Sequence, residues 1–161
     1  MTDLALLTRS PKETRGVGRA VATLVRAGDV VVVAGDLGAG KTTFVRGLAE
    51  GLGIPDGIVS PTFTLAREYE GRVRLVHVDL YRLDRAQELL DLGLEDLADD
   101  AVLAVEWGDV AIAYLAPEHL EVRLSAGPDA DAVEHRTLAL APRGRSWLAR
   151  QDALAAAVGA A

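Results

Sequence analysis

The chain of 161 residues contains no cysteine and no asparagine. The missing cysteine excludes disulfides and every thiolate-held zinc or iron–sulfur centre, and it fits a reducing cytoplasm. The missing asparagine excludes any element that reads a base through an Asn side chain. Lysine is scarce, confined to Lys12 and Lys41, and the remaining cations are arginines. Acids outnumber bases by 24 to 17, for a net charge of -7. A domain that grips nucleic acid unaided draws most of its affinity from cations on phosphates. Strong independent nucleic-acid binding is therefore not expected, and any contact with RNA has to be local or shared with a partner. No apolar run approaches the ~18 residues of a membrane-spanning helix, so no membrane association is expected. The first ten residues show no basic segment followed by an apolar stretch, the mark of a secretory signal.

Half of the residues, 50%, are hydrophobic, enough to build a core. The length suits one domain of about 100–200 residues. Ser10-Pro11-Lys12-Glu13 reads as a helix start, with Ser10 as cap, Pro11 at the first helical position and Glu13 three residues after the cap. Val17, Val21, Leu24 and Val25 recur on one helical face, and Gly28-Asp29 ends the pattern. The run Val30–Ala34 has the continuous β-branched character of a strand buried on both faces. A second helix is expected from Lys41 to Leu52, with Phe44, Val45, Leu48 and Leu52 inward. Residues 61–70 and 72–79 read as two strands joined near Gly71, 86–97 as one or two short helices, and 102–106 as a short buried strand. Residues 107–115 read as helical, 119–125 and 133–141 as a hairpin about Gly127-Pro128-Asp129, and 145–158 as a terminal helix with a frayed tail from about 156. The alternation predicts an α/β fold: a P-loop-type mixed β-sheet flanked by helices, with a C-terminal antiparallel hairpin, as a single domain over residues 1–161.

The strongest chemical signal is Gly35-Asp36-Leu37-Gly38-Ala39-Gly40-Lys41-Thr42, which satisfies G-x-x-x-x-G-K-[ST] between a buried strand and a helix. A triphosphate needs several converging N–H donors, so the backbone has to wrap it closely, and glycines permit that approach. The helix starting at Lys41 directs its free N–H groups and positive dipole end at the anion. Lys41 sets a cation beside the outer phosphates, and the Thr42 hydroxyl is a ligand for Mg²⁺.

Such a loop needs a carboxylate at the end of a neighbouring buried strand. Val76-His77-Val78-Asp79 and Val102-Leu103-Ala104-Val105-Glu106 each lead apolar residues directly into one acid. The acidic group Glu95, Asp96, Asp99 and Asp100 reads instead as a solvated face. His77, His119 and His135 are scattered at strand-like positions and read as structural.

The phosphate loop with Thr43 and Phe44, then Ser60-Pro61-Thr62-Phe63-Thr64-Leu65, then His77-Val78-Asp79-Leu80-Tyr81-Arg82-Leu83, then Glu106-Trp107 together resemble the TsaE family, formerly called YjeE. The likeness covers about residues 10–110 and, more weakly, the hairpin. It implies a small ATPase that binds ATP and Mg²⁺, hydrolyses ATP slowly, and acts with a TsaB–TsaD complex. That complex transfers a threonylcarbamoyl group to adenosine 37 of tRNAs reading codons that start with A. The tRNA is thus met indirectly, through the complex, in the cytoplasm. On the same resemblance Lys41, Asp79 and Glu106 are the catalytic residues, and Thr42 with Glu106 holds the metal. The division of roles between Asp79 and Glu106 stays open. Gly35 to Thr43 cradle the nucleotide phosphates, with Thr62 and Thr64 in a switch-like loop nearby. Trp107 stands beside the pocket, Ser10 and Pro11 border the adenine side, and Arg136 offers a charge from the hairpin.

A small-molecule kinase shares the phosphate loop and is the alternative reading. Kinases of this size usually carry an arginine-bearing lid, for which only Arg82 and Arg85 offer themselves. A GTPase switch usually needs an N-K-x-D element, which a chain without asparagine cannot supply. A nucleotide-sensing module without turnover would differ from the leading reading only in the absence of hydrolysis.

Overall fold

A run of four valines forms the centre of the molecule, and partly exposed strands form its edges. The computed structural model describes residues 3–36, 38–55, 66–80, 99–106 and 118–159. Among them lie β1 (Leu4–Thr8), α1 (Pro11–Ala22), β2 (Val30–Ala34), α2 (Lys41–Gly51), β3 (Ala66–Tyr69), β4 (Arg74–Asp79) and β5 (Ala101–Glu106). They are followed by β6 (His119–Ala126), β7 (Arg136–Arg143), α3 (Arg145–Leu148) and α4 (Gln151–Gly159). The strands form one seven-stranded sheet in the order β1-β7-β6-β2-β5-β4-β3.

The order follows from burial. β2, buried at every position, takes the centre and pairs in parallel with both β5 and β6. β5, equally buried, also pairs in parallel with β4. The outer pairings, β3 on β4, β7 on β6 and β1 on β7, are antiparallel. The fold is thus the expected mixed α/β sheet, and β6–β7 is the expected hairpin. Because β2, β4 and β5 run parallel, their carboxyl ends meet at one edge of the sheet, where α/β proteins place ligands.

Successive strand residues face opposite sides. Val31, Val33, Leu75, Val102, Ala104, Leu120 and Val122 share one core with Val17 and Val21 of α1 and Phe44 and Leu48 of α2. Val30, Val32, Val76, Val78, Leu103 and Val105 are buried on the opposite face. The two helices touch through glycine. A Cβ on Gly47 would strike the backbone of Arg15, including its carbonyl oxygen, so the helix spacing admits no side chain there. Arg15 and Arg19 of α1 both reach Glu50 of α2 across the exposed side of this contact.

Several boundaries differ from those predicted. β1 was not predicted, and it covers the outer edge of β7. α1 stops at Ala22, where the Thr23 hydroxyl donates to the Ala20 carbonyl at 2.6 Å, rather than running on to Gly28. Of the strand predicted over 61–70, Ala66–Tyr69 is strand, and residues 61–65, like the elements predicted at 86–97 and 107–115, lie outside the described residues. The terminal helix is two helices. The break coincides with Arg150, whose guanidinium donates to both carboxylate oxygens of Asp29 at 2.6 and 2.9 Å and stacks 3.9 Å from the centre of the Trp147 ring. The tail read as frayed from about 156 is helical as far as Gly159, with Val158 buried.

Candidate functional site

β2 ends at Ala34 and the chain turns at once into the phosphate loop. Gly40 closes the loop at φ +102°, a torsion that L side chains rarely adopt. The Ala39 amide donates to the Asp36 carbonyl at 3.0 Å inside the loop. α2 then starts at Lys41 with Gly40 as its cap, no side-chain hydrogen bond at the cap and no acid in its first turn. The contrast with α1 is instructive. There Ser10 Oγ accepts from the Glu13 amide at 3.2 Å, and Glu13 in turn accepts from the Arg9 amide at 2.6 Å. One helix start is served by its own side chains, whereas the other has no side-chain cap, the arrangement that suits an anion.

Lys41 is buried, 5% exposed, and its ammonium donates to the Gly35 and Asp36 carbonyls at 2.7 and 2.8 Å. Burial pushes its pKa below the ordinary value, while the carboxylates of Glu106, Asp79 and Asp36 pull it back up. Next along the helix, the Thr42 hydroxyl donates to Glu106 Oε1 at 3.0 Å. Glu106 is the last residue of β5 and lies in register with Val33 on one side and Asp79 on the other. Both acids are buried, and both face the side of the sheet that carries α2. His77, fully buried and two residues before Asp79, points to the same side, with Nε2 at 3.1 Å from Glu106 Oε1.

The structure thus brings Lys41, Thr42, Asp79 and Glu106 to one edge. Hard oxygen donors from a hydroxyl and a carboxylate, side by side at the mouth of the loop, fit Mg²⁺, which commonly binds through one or two carboxylates plus substrate phosphates. Gly35, Asp36, Gly38, Ala39, Gly40 and Thr43 lie in or directly after the loop. Ser10 and Pro11 form the start of α1, which borders the loop through Thr14, 4.0 Å from where a Gly40 Cβ would stand. Arg136 opens β7 and turns its guanidinium onto the loop itself. Nε donates to the Ala39 carbonyl at 3.0 Å, one terminal nitrogen to the Gly38 carbonyl at 3.2 Å, and the other to the Val133 and His135 carbonyls. Leu37, Thr62, Thr64 and Trp107 lie outside the described residues.

The His77 contact was missed by sequence reasoning, which treated that histidine only as structural. A signal was present, because residues two apart on a strand share a face and His77 therefore accompanies Asp79. The grip of Arg136 on loop carbonyls spans 97 residues and had no local signature.

The strand–loop–helix at the centre of the sheet defines an α/β protein of the P-loop type. A family model described as "Threonylcarbamoyl adenosine biosynthesis protein TsaE" matches residues 8–136. The chain is similar to the tRNA threonylcarbamoyladenosine biosynthesis protein TsaE of Streptomyces coelicolor, 45% identical over 130 residues, covering 77% of this chain and 88% of that one. It is also similar to the Bacillus subtilis protein of the same name, 40% identical over 131 residues, covering 80% and 82%. A crystal structure of Bacillus subtilis YdiB superposes with a TM-score of 0.81 at 33% identity, covering 96% of this chain and 95% of that one. The chain belongs to the TsaE family.

Proposed function

We propose that this protein is the nucleotide-driven accessory of tRNA threonylcarbamoyladenosine formation. It binds ATP with Mg²⁺, hydrolyses it slowly, and does so in the service of a TsaB–TsaD complex that modifies adenosine 37. The role in this tRNA modification rests on family membership. The nucleotide chemistry rests on one observation above all: the Thr42 hydroxyl meets the Glu106 carboxylate at 3.0 Å, where the phosphate loop becomes α2.

On this reading the loop amides and the start of α2 bind the phosphates, because they offer converging N–H donors and a positive dipole end. Lys41 exchanges its loop carbonyls for phosphate oxygens and neutralises charge that develops on them. Thr42 and Glu106 hold the metal, whose contribution is to screen the phosphate charge. Asp79, held in register beside Glu106, orients the attacking water. The water oxygen forms the new bond to the terminal phosphorus as the bond to the β-phosphate oxygen breaks, leaving ADP and inorganic phosphate. Slow turnover of the isolated chain follows if a partner completes the charge stabilisation. The reading assigns the protein to the cytoplasm, with tRNA reached only through the complex. Among the described residues no helix is long and apolar enough to cross a membrane.

The deciding experiment measures ATP hydrolysis and ATP binding by the full chain, alone and with its cognate TsaB and TsaD. Wild type is expected to bind ATP and turn it over slowly, and Lys41→Ala to lose turnover under both conditions. Ordinary ATPase rates in folded Lys41→Ala with the same partners would refute the assignment. Phosphorylation of a metabolite much faster than ATP hydrolysis would replace it with a kinase.

A further inference from the structure

Glu106 Oε1 receives two contacts, from Thr42 Oγ1 at 3.0 Å and from His77 Nε2 at 3.1 Å. Neither contact uses the other oxygen, Oε2. A carboxylate can only accept, so the shared proton belongs to the imidazole and the Nε2–H tautomer is the one that fits. His77 is fully buried, and its ring is carried by β4, the strand that also carries Asp79. Its Nδ1 is buried without a hydrogen-bond partner among the described residues. A histidine kept in the core with one nitrogen unused is a costly packing residue, since an apolar side chain of similar size would avoid that desolvation. The bond it does make goes to the carboxylate at the loop mouth.

We propose that His77 is a positioning residue: its Nε2–H holds Oε1 of Glu106 and so keeps Oε2 turned out as the oxygen available to a divalent cation or its water shell. The inference rests on the Mg²⁺–nucleotide reading given above. Groups that orient a liganding carboxylate commonly contribute about 10–100-fold to metal affinity. His77 acts at that level, on the carboxylate, and touches neither phosphate nor water. Two donors from different elements, α2 and β4, fix the carboxylate more firmly than Thr42 alone, whose hydroxyl is also needed by the cation.

The test compares wild type, His77→Gln and His77→Leu by calorimetric titration with ATPγS, once with Mg²⁺ and once with EDTA. The ratio of the two dissociation constants reports how strongly the metal supports nucleotide binding. His77→Leu is expected to shrink that ratio by about ten-fold or more, with the EDTA value unchanged. His77→Gln, which keeps an N–H donor near the same place, is expected to recover most of it. An unchanged ratio in folded His77→Leu overturns the proposal, and so does an equal loss in both variants, since a packing role alone would not distinguish them. A wild type that binds ATPγS equally with Mg²⁺ and with EDTA removes the metal reading itself, and this inference with it. If His77→Leu does not fold, the wild-type ring still decides. Nitrogen-15 NMR of the chain's three histidines is expected to show His77 as the Nε2–H tautomer, with a resonance that moves on adding Mg²⁺ to the nucleotide complex. An Nδ1–H tautomer overturns the proposal.

Discussion

Arg136 and Ala39, 97 residues apart, are joined by a 3.0 Å hydrogen bond from guanidinium Nε to the loop carbonyl. With the Gly38 carbonyl also engaged, the hairpin end of β7 holds one wall of the phosphate loop in place. The same guanidinium reaches back to Val133 and His135, so a single side chain braces loop and hairpin together. Hydrogen bonds from charged groups contribute about 1.5–3 kcal/mol each. Arg136→Ala is therefore expected to weaken ATP binding by roughly ten-fold through loss of preorganisation. Arg136→Lys is expected to recover little, because a point ammonium cannot span four carbonyls. Calorimetric titration with thermal unfolding on the same samples checks both. Unaltered affinity in Arg136→Ala would remove the bracing role.

The lowered pKa of Lys41 is expected to make nucleotide binding, on the proposed reading, sensitive to alkali. Burial favours the neutral amine in the free protein, and a bound polyphosphate favours the cation. Between the lowered free value and the raised bound value, the complex holds more protons than the free protein. Affinity therefore falls as pH rises through that window, and binding takes up protons within it. Titrations in buffers of different ionisation enthalpy should detect the uptake on the alkaline side and lose it in Lys41→Arg, whose guanidinium stays charged.

Asp79 and Glu106 are expected to separate in kinetics although they are neighbours in register. Glu106→Gln should abolish most of the Mg²⁺ dependence of nucleotide binding while leaving binding in EDTA near wild type. Asp79→Asn should retain MgATP binding within a few-fold and lose turnover by about two orders of magnitude, the scale of a misplaced reactant. Equilibrium binding and single-turnover hydrolysis on the two variants give the four numbers needed. A reversed pattern would exchange the two roles.

Gly47→Ala should destabilise the fold chiefly through packing. The added methyl meets the Arg15 backbone, so α1 and α2 have to move apart. Overpacking of this kind costs about 1–3 kcal/mol, and denaturant unfolding should show a lower midpoint. Because α2 carries Lys41 and Thr42 at its start, a modest loss of ATP affinity should accompany it.

What the sequence made legible was local. Val30–Ala34 and the apolar runs ending at Asp79 and Glu106 declare buried strands by themselves, and the glycine-rich spacing declares the turn from β2 into α2. β1 was not legible, because Leu4, Leu6 and Leu7 give no clean alternation and its partner residues, such as Leu140, lie at the far end of the chain. The terminal helix was read as continuous because nothing local to Arg150 announces its pairing with Asp29, 121 residues away. The meeting of His77, Thr42 and Glu106 depends on strand order, which no single segment contains.

In the parallel ladder of β4 and β5, Asp79 and Glu106 are opposite numbers. Their backbones are therefore held about 4.8 Å apart by strand geometry and not by the connection between them. The two acids keep their station through the ladder itself. A single residue inserted within β5 would do the opposite, turning Glu106 through the sheet and away from Thr42. The register of that ladder is therefore what fixes the pair.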